Sequence, residues 1–206
     1  MYARSTTTRG NPQALDDANA YMRDEVMPAM QEIDGFMGLS MLCERDTGRC
    51  IVTTAWSDEQ TMRASTDKIR PMRERLLEVL GGEPEVREWE IAVLHRAHPA
   101  GDGACTRVTW LRTDPGQIDR LLDNYRSVVM PRLQELPGFC SLSMLVDREG
   151  GRAVGVASFE SREALERTRE TARSLREESV RSAGVEMLDV AEMDLVLAHL
   201  RVPETV

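Results

Sequence analysis

The chain has 206 residues, of which 30% are charged and 41% hydrophobic, and carries a formal charge of −9 at pH 7. That acidity argues against nucleic acid or an anionic membrane as partner, because both require a basic face that displaces counterions. No apolar run reaches the ~18 residues of a membrane span, and the start, Met1 to Ser5, lacks a signal-peptide core, so the chain reads as cytoplasmic.

The sequence states itself twice. At a shift of 103 positions, Val26-Met27-Pro28 meets Val129-Met130-Pro131, Gly35-Phe36 meets Gly138-Phe139, and Leu39-Ser40-Met41-Leu42 meets Leu142-Ser143-Met144-Leu145. After one inserted residue, Val86, Glu88 and His95 fall opposite Val190, Glu192 and His199. The expected organisation is repeat 1 over 1–96, a Pro/Gly linker over 97–103 and repeat 2 over 104–206.

In chain order, each repeat opens with a strand, Arg4 to Thr8 or Thr106 to Arg112, that ends at Asn11-Pro12 or Asp114-Pro115. Asn or Asp as N-cap with proline at the first helical position starts a helix. Leu15, Ala18, Met22, Val26, Met30 and Ile33 recur at helical spacing, as do Ile118, Leu121, Leu122, Tyr125, Val129 and Leu133. Pro28 and Pro131 fall inside these helices and should kink them or reset their last turn.

A hairpin follows, Met37 to Glu44 and Cys50 to Trp56 in repeat 1, Cys140 to Asp147 and Ala153 to Phe159 in repeat 2. Alternation places Met37, Leu39, Met41, Cys43, Cys50, Val52, Thr54 and Trp56 on the face that helices should cover. A second helix starts near Ser57-Asp58-Glu59-Gln60 and buries Met62, Ile69, Met72, Leu76 and Val79; its counterpart uses Leu165, Ala172, Leu175 and Val180. The last strand runs Val86 to His95, or Val190 to His199. This β-α-β-β-α-β order is an α+β, ferredoxin-like unit, and one face of its sheet needs a second layer.

Met27-Pro28, Gly35-Phe36 and the run Thr54-Ala55-Trp56-Ser57-Asp58-Glu59-Gln60, with Pro137-Gly138-Phe139 in repeat 2, resemble the antibiotic-biosynthesis-monooxygenase (ABM)-like domains of the dimeric α+β barrel superfamily. The resemblance covers nearly the whole chain twice. It implies two tandem ferredoxin-like repeats forming an intramolecular dimeric α+β barrel, a monomeric pseudo-dimer, with a further homodimer left open. It further implies a small hydrophobic or aromatic molecule as partner and a cofactor-independent monooxygenase as the catalytic option, with no cofactor. In relatives that oxidise polycyclic phenols, the strand tryptophan, matched by Trp56, accompanies an Asn and a Tyr. Here those positions hold Val52 and Met62, and repeat 2 has Phe159, Gly155 and Leu165 at all three. A non-catalytic binding or assembly module is the competing reading. Haem-degrading relatives use a histidine on the second helix, and neither repeat has one.

The candidate ligand-binding residues are Trp56, Thr7, Met62, Met72, Trp89 and His95, with no catalytic residue assigned. Trp56 and Trp89 are either core or pocket walls, and Met62 and Met72 either core or an adaptable lining. Repeat 1 has Ser5 and Thr7 where repeat 2 has Val108 and Trp110, so a polar floor would leave a cavity in repeat 1 that Trp110 plugs in repeat 2. The alternative is volume exchange, with Trp110 offset by Gly155 and Ala157. His95 and His199 occupy equivalent strand ends, as proton carriers or as plain strand caps. Arg4 and Arg107 recur, as do Glu88/Glu192 and Glu90/Asp194, which suggests cross-strand ion pairs facing the other sheet. The four cysteines have no metal spacing, so no metal site is expected, and Cys43 and Cys50 would sit opposite each other across the hairpin.

Overall fold

The computed structural model describes residues 1–200 and 203–205. Repeat 1 contains β1 (Tyr2–Arg9), helix α1 (12–31), β2 (Phe36–Glu44), β3 (Arg49–Trp56), α2 (Glu59–Ala64), α3 (Thr66–Leu80) and β4 (Glu85–Arg96). Repeat 2 follows with β5 (Cys105–Arg112), α4 (115–134), β6 (Phe139–Asp147), β7 (Arg152–Phe159), α5 (Arg162–Arg167), α6 (Arg169–Ala183) and β8 (Glu186–Leu200).

The strands hydrogen-bond in the closed order β1-β3-β2-β8-β5-β7-β6-β4, two ferredoxin-like sets joined into one α+β barrel. β4 and β8 make the joins. The second half of β4, from Glu90, pairs with β6, and β8 from Asp194 pairs with β2. By compactness the chain falls into two units, one of Met1–Trp89 with β8 from Asp194, the other of Glu90 to Met193 with Pro203 to Thr205.

The helix starts follow their caps. Asn11 Oδ1 accepts from the Gln13 amide at 3.0 Å and Asp114 Oδ1 from the Gly116 amide at 2.8 Å. Each first helix then contains a π turn, Met22–Val26 or Tyr125–Val129, whose closing amide reaches back five residues, Met27 to Met22 O and Met130 to Tyr125 O. Pro28 and Pro131 lie just beyond. A proline supplies no amide and its ring crowds the carbonyl four residues back, and the widened turn absorbs both defects. Asp58, not Ser57, caps α2, accepting from the Thr61 amide at 2.8 Å.

At the start of β2 the pairing shifts between Phe36 and Gly38, so Phe36 instead of Met37 packs on the helix side, edge-on to Trp56 at 5.8 Å and 70°. Phe139 and Phe159 repeat this at 6.3 Å and 84°. The preceding glycines have a physical cause. Gly35 (φ +78°) and Gly138 (φ +76°) sit in the left-handed region, and a Cβ there would lie 2.6 Å from Thr61 or Ala164.

The core of the first unit is built on Met22, Met30, Leu39, Met41, Trp56 and Met62, and that of the second on Leu122, Tyr125, Leu142, Met144, Phe159 and Leu165. Cys43 and Cys50 face each other in the first core as free thiols with Sγ atoms 2.8 Å apart.

Candidate functional site

Each repeat holds a cavity in the same place, between the helix-facing side of its sheet and its helices. In repeat 1 it measures about 40 Å³, and its walls include Arg4, Thr6, Val52, Thr54, Met72 and Arg73. In repeat 2 it measures about 70 Å³, and its walls include Arg107, Thr109, Tyr125, Gly155, Ala157 and Arg176. The difference comes from side-chain volume. Val52, Thr54, Ile69 and Leu76 in repeat 1 become Gly155, Ala157, Ala172 and Ser179 in repeat 2, against gains where Met22 becomes Tyr125, Ala18 becomes Leu121 and Thr8 becomes Leu111.

This reverses the expected asymmetry, in which repeat 1 was open and Trp110 plugged repeat 2. Arg107, Thr109 and Leu111 line the cavity, and Trp110 alternates with them on the opposite face of β5, so it cannot enter. Ser5 and Thr7 are likewise on the face of β1 away from the helices, opposite Thr53 and Ile51.

The walls in repeat 2 are mostly apolar, with unusual polar groups among them. Arg107 is 4% exposed. Its Nε and Nη2 donate to Glu192 Oε1 at 3.3 and 2.9 Å and Nη2 also to the Leu165 carbonyl at 2.9 Å, while its Nη1 has no partner among the described residues. Arg176 projects from α6 with Nε and Nη1 buried and unpartnered, as is Ser179 Oγ one turn on. Burial first, and then the charge of Arg107, pull the Arg176 guanidinium below its ordinary value. The Tyr125 hydroxyl finds no hydrogen bond among the described residues, and burial pushes it well above the usual tyrosine range. Half-buried Arg176, Ser179 and Val180 form the rim, between α4 and α6. The walls carry no histidine, cysteine or carboxylate, so the donor set suits an anion or a neutral acceptor, not a cation.

The equivalent arginine of repeat 1 is fully used. Arg4 Nε and Nη2 bind Glu88 Oε1 at 3.2 and 2.8 Å, Nη2 also meets Met62 O and Thr66 Oγ1, both at 3.0 Å, and Nη1 reaches Ser65 Oγ at 3.4 Å. In repeat 2, Arg169 replaces Thr66 and binds Glu192 itself at 2.5 Å, and Thr168 replaces Ser65; both hydroxyls donate to the carbonyl three residues back, Met62 O or Leu165 O, but only Ser65 Oγ also accepts from the arginine Nη1. Arg107 Nη1 is left over.

Both ion pairs span first and last strands as expected. Contrary to expectation they point at the helices, since Arg4 reaches α2 and Arg107 reaches α5. Glu90 and Asp194 serve different arginines, Arg148 at 2.6 Å and Arg45 at 3.1 Å, on the hairpin turns.

The six sequence-predicted residues are not brought together. Trp56 is fully buried, with Nε1 donating to Thr54 Oγ1 at 3.0 Å, and Met62 is fully buried beside it. Neither lines the cavity of repeat 1; Met72 does. Thr7 lies on the other side of the sheet, as does Trp89, whose Nε1 donates to Ser5 Oγ at 2.8 Å. His95 lies in the second unit with Nδ1 3.1 Å from Glu204 Oε2, and its counterpart His199 meets Gln31 at 3.3 Å. Sequence reasoning missed Arg176. The available signal was its recurrence, since Arg73 and Arg176 stand at the same shift as Arg4 and Arg107, on a helix face otherwise apolar.

No family model matches the chain. Among solved structures, one from Lactobacillus acidophilus superposes with a TM-score of 0.71 at 8% identity, covering 97% of this chain and 96% of that one. An anthrone oxidase-like protein gives 0.68 at 14% identity, over 99% and 94%. A ferredoxin fold protein of Listeria monocytogenes related to antibiotic biosynthesis monooxygenases gives 0.53 at 9%, over 94% of each chain. At such identities these likenesses establish the ABM-type dimeric α+β barrel fold. Among described residues no helix is long and apolar enough to cross a membrane. In sequence, the whole chain aligns at 48% identity with 92% of Rv2557 and at 49% with 88% of Rv2558, both of Mycobacterium tuberculosis. With about half its residues identical from end to end, the chain belongs to the same protein family as Rv2557 and Rv2558.

Proposed function

We propose that this ABM-fold protein binds a small, largely apolar molecule in the helix–sheet cavity of its second repeat, and that the first repeat is a packed twin with a structural role. The observation that carries the reading is the contrast between equivalent places. One is filled by Val52, Thr54, Ile69 and Leu76; the other is opened by Gly155, Ala157, Ala172 and Ser179 and keeps buried polar atoms without partners. A largely apolar cavity with a few convergent polar groups is what a small-molecule site requires.

The volume limits the ligand. About 70 Å³ is roughly half of the ~150 Å³ that encloses a benzene ring, so the cavity encloses less than one ring, a single-ring occupant must reach out past the rim, and polycyclic phenols are excluded without rearrangement. Trp56 is sealed in the core of the other repeat, so stacking against it is not part of the proposal.

The test is titration of the full chain with short branched and single-ring compounds, followed by the Ala157 amide resonance. Gly155→Val should abolish binding by restoring the side chain of repeat 1. Equal binding by the filled variant would sink the reading. Oxygen uptake with single-ring quinols then separates a cofactor-independent monooxygenase from a pure binder, and no uptake is the expected result, since catalysis requires a group that takes the phenol proton and the buried Tyr125 hydroxyl, raised above its ordinary range, stays protonated.

A further inference from the structure

We infer that the molecule held in repeat 2 is an oxyanion, a carboxylate on a small apolar body, received by Arg107 Nη1 and by Arg176 Nε and Nη1. This rests on the cavity reading above and adds the chemistry of the ligand's head group.

Three N–H-bearing nitrogens of two arginines, together with Ser179 Oγ, are buried at one cavity without an acceptor among the described residues. Buried guanidinium donors are strongly disfavoured unless an acceptor meets them, and an ionised acceptor meets them best. No described residue provides one. The carboxylate nearest to Arg107, Glu192, already accepts from Arg107 and from Arg169, and no carboxylate lines the cavity. Arg107 and Arg169 therefore share Glu192, while Arg176, which feels the charges of Glu192 and Glu177, has its buried Nε and Nη1 bonded to neither, which leaves positive donors beside apolar walls.

The division of the walls matches a two-part ligand. Arg176 and Ser179 stand at the half-exposed rim, where a charged head keeps part of its hydration, and Arg107 lies at 4% exposure further in. Leu111, Val129, Met144 and Gly155 offer the rest of the surface, which suits a short branched or ring-bearing body. A planar guanidinium presents paired donors to a carboxylate, which a lysine would not. Repeat 1 makes no such demand, because Ser65 takes Arg4 Nη1 within the fold.

The experiment compares each carboxylate with its neutral amide of nearly the same shape, isobutyrate with isobutyramide and benzoate with benzamide, on the full chain at low ionic strength. Shifts of the Ala157 amide, present in every variant, locate binding, and Arg176→Gln and Gly155→Val are the variants. The expected result is an affinity for the carboxylates at least about tenfold above the amides. Arg176→Gln should collapse that preference to less than about twofold, and Gly155→Val should remove binding of both classes. Equal affinity of acid and amide in the natural chain overturns the anion reading and leaves the cavity reading standing. A preference that survives in Arg176→Gln overturns the assignment of the receptor. Binding of neither class, with water alone in the cavity, overturns both readings.

Discussion

The two repeats solve the same backbone problem with different interiors, and the difference is concentrated around one arginine. Arg4 and Arg107 occupy equivalent positions, 5% and 4% exposed, and each pairs with the glutamate of the last strand of its own repeat. Every nitrogen of Arg4 has an acceptor and its cavity is small; Arg107 has one nitrogen idle and its cavity is larger. Two identical subunits would have to carry the same compromise twice. A duplicated chain is released from that symmetry, so one copy can be optimised for packing while the other keeps unsatisfied donors for a ligand.

The largest expected effect tests that contrast directly. Arg4→Met should lower stability by about 3 kcal/mol, toward the low end for a buried pair because Glu88 is 40% exposed. Arg107→Met should cost about 1 kcal/mol less, since it also removes a buried donor that lacks an acceptor and leaves Glu192 with Arg169. Urea unfolding of the two full-length variants measures the order, and a costlier Arg107 variant would break the comparison. Alanine at the second pair of positions makes the repeats identical there and should act with opposite signs. Val52→Ala empties a filled site at a cost of about 2 kcal/mol. Gly155→Ala should gain about 0.5–1 kcal/mol from the restricted backbone. The new methyl would sit 3.5 Å from Met144 Cε and 4.0 Å from Tyr125 Cε2, ordinary contacts with no strain.

The fold was legible in the sequence because it is written in periodicity and caps, and written twice. Asn11-Pro12 and Asp114-Pro115 start helices as their chemistry dictates, and the alternation from Leu39 to Trp56 gives the buried face. Two local devices escaped it. The bulge at Phe36/Gly38 exchanges Phe36 for Met37, and the π turns stand in for the kinks expected at Pro28 and Pro131. The site was less legible, for a different reason. Gly155, Ala157 and Ser179 are visible only as small residues, and whether small means an empty space or a neighbour's bulk depends on which face of the sheet each one shares. Placing Ser5, Thr7 and Trp110 on the helix side of their strands led to a larger cavity in repeat 1, whereas Trp110 lies on the face of β5 opposite to Arg107, Thr109 and Leu111. An idle arginine nitrogen is not a sequence property at all, because it depends on whether a neighbouring hydroxyl comes within reach, as Ser65 Oγ does for Arg4 Nη1 and Thr168 Oγ1 does not for Arg107 Nη1.

A third pair sharpens the comparison at the strand ends. Trp56 Nε1 needs a buried acceptor and has Thr54 Oγ1, which itself donates to the Arg4 carbonyl at 3.3 Å. Repeat 2 has Phe159 and Ala157 at these positions and needs neither group. Thr54→Ala should therefore cost about 1–2 kcal/mol by leaving the indole N–H unpaired. Adding Trp56→Phe should recover part of that loss, giving a favourable coupling of about 1 kcal/mol in a double-mutant cycle. Strict additivity of the two substitutions would show that the pair is not a unit.

The smallest effect separates the ion pairs by pH. Burial alone would raise the Glu192 carboxyl, but hydrogen bonds from Arg169 and Arg107 outweigh it and hold the group below the usual carboxylate range. A carboxylate depressed on folding stabilises the native state above its unfolded value of about 4.3, and that contribution is lost as pH falls through the folded value. The stability gap between the natural chain and Glu192→Gln should thus be complete at neutral pH, persist to pH 5 and close only in more acidic solution. The difference must be taken at each pH between the two proteins, because the many other carboxylates titrate alike in both and cancel. A gap that closes near neutrality would mean that Glu192 is raised, not depressed, and that Arg107 and Arg169 do not hold it as a shared counter-ion. The positive excess assigned to the cavity of repeat 2 would then have to be sought elsewhere.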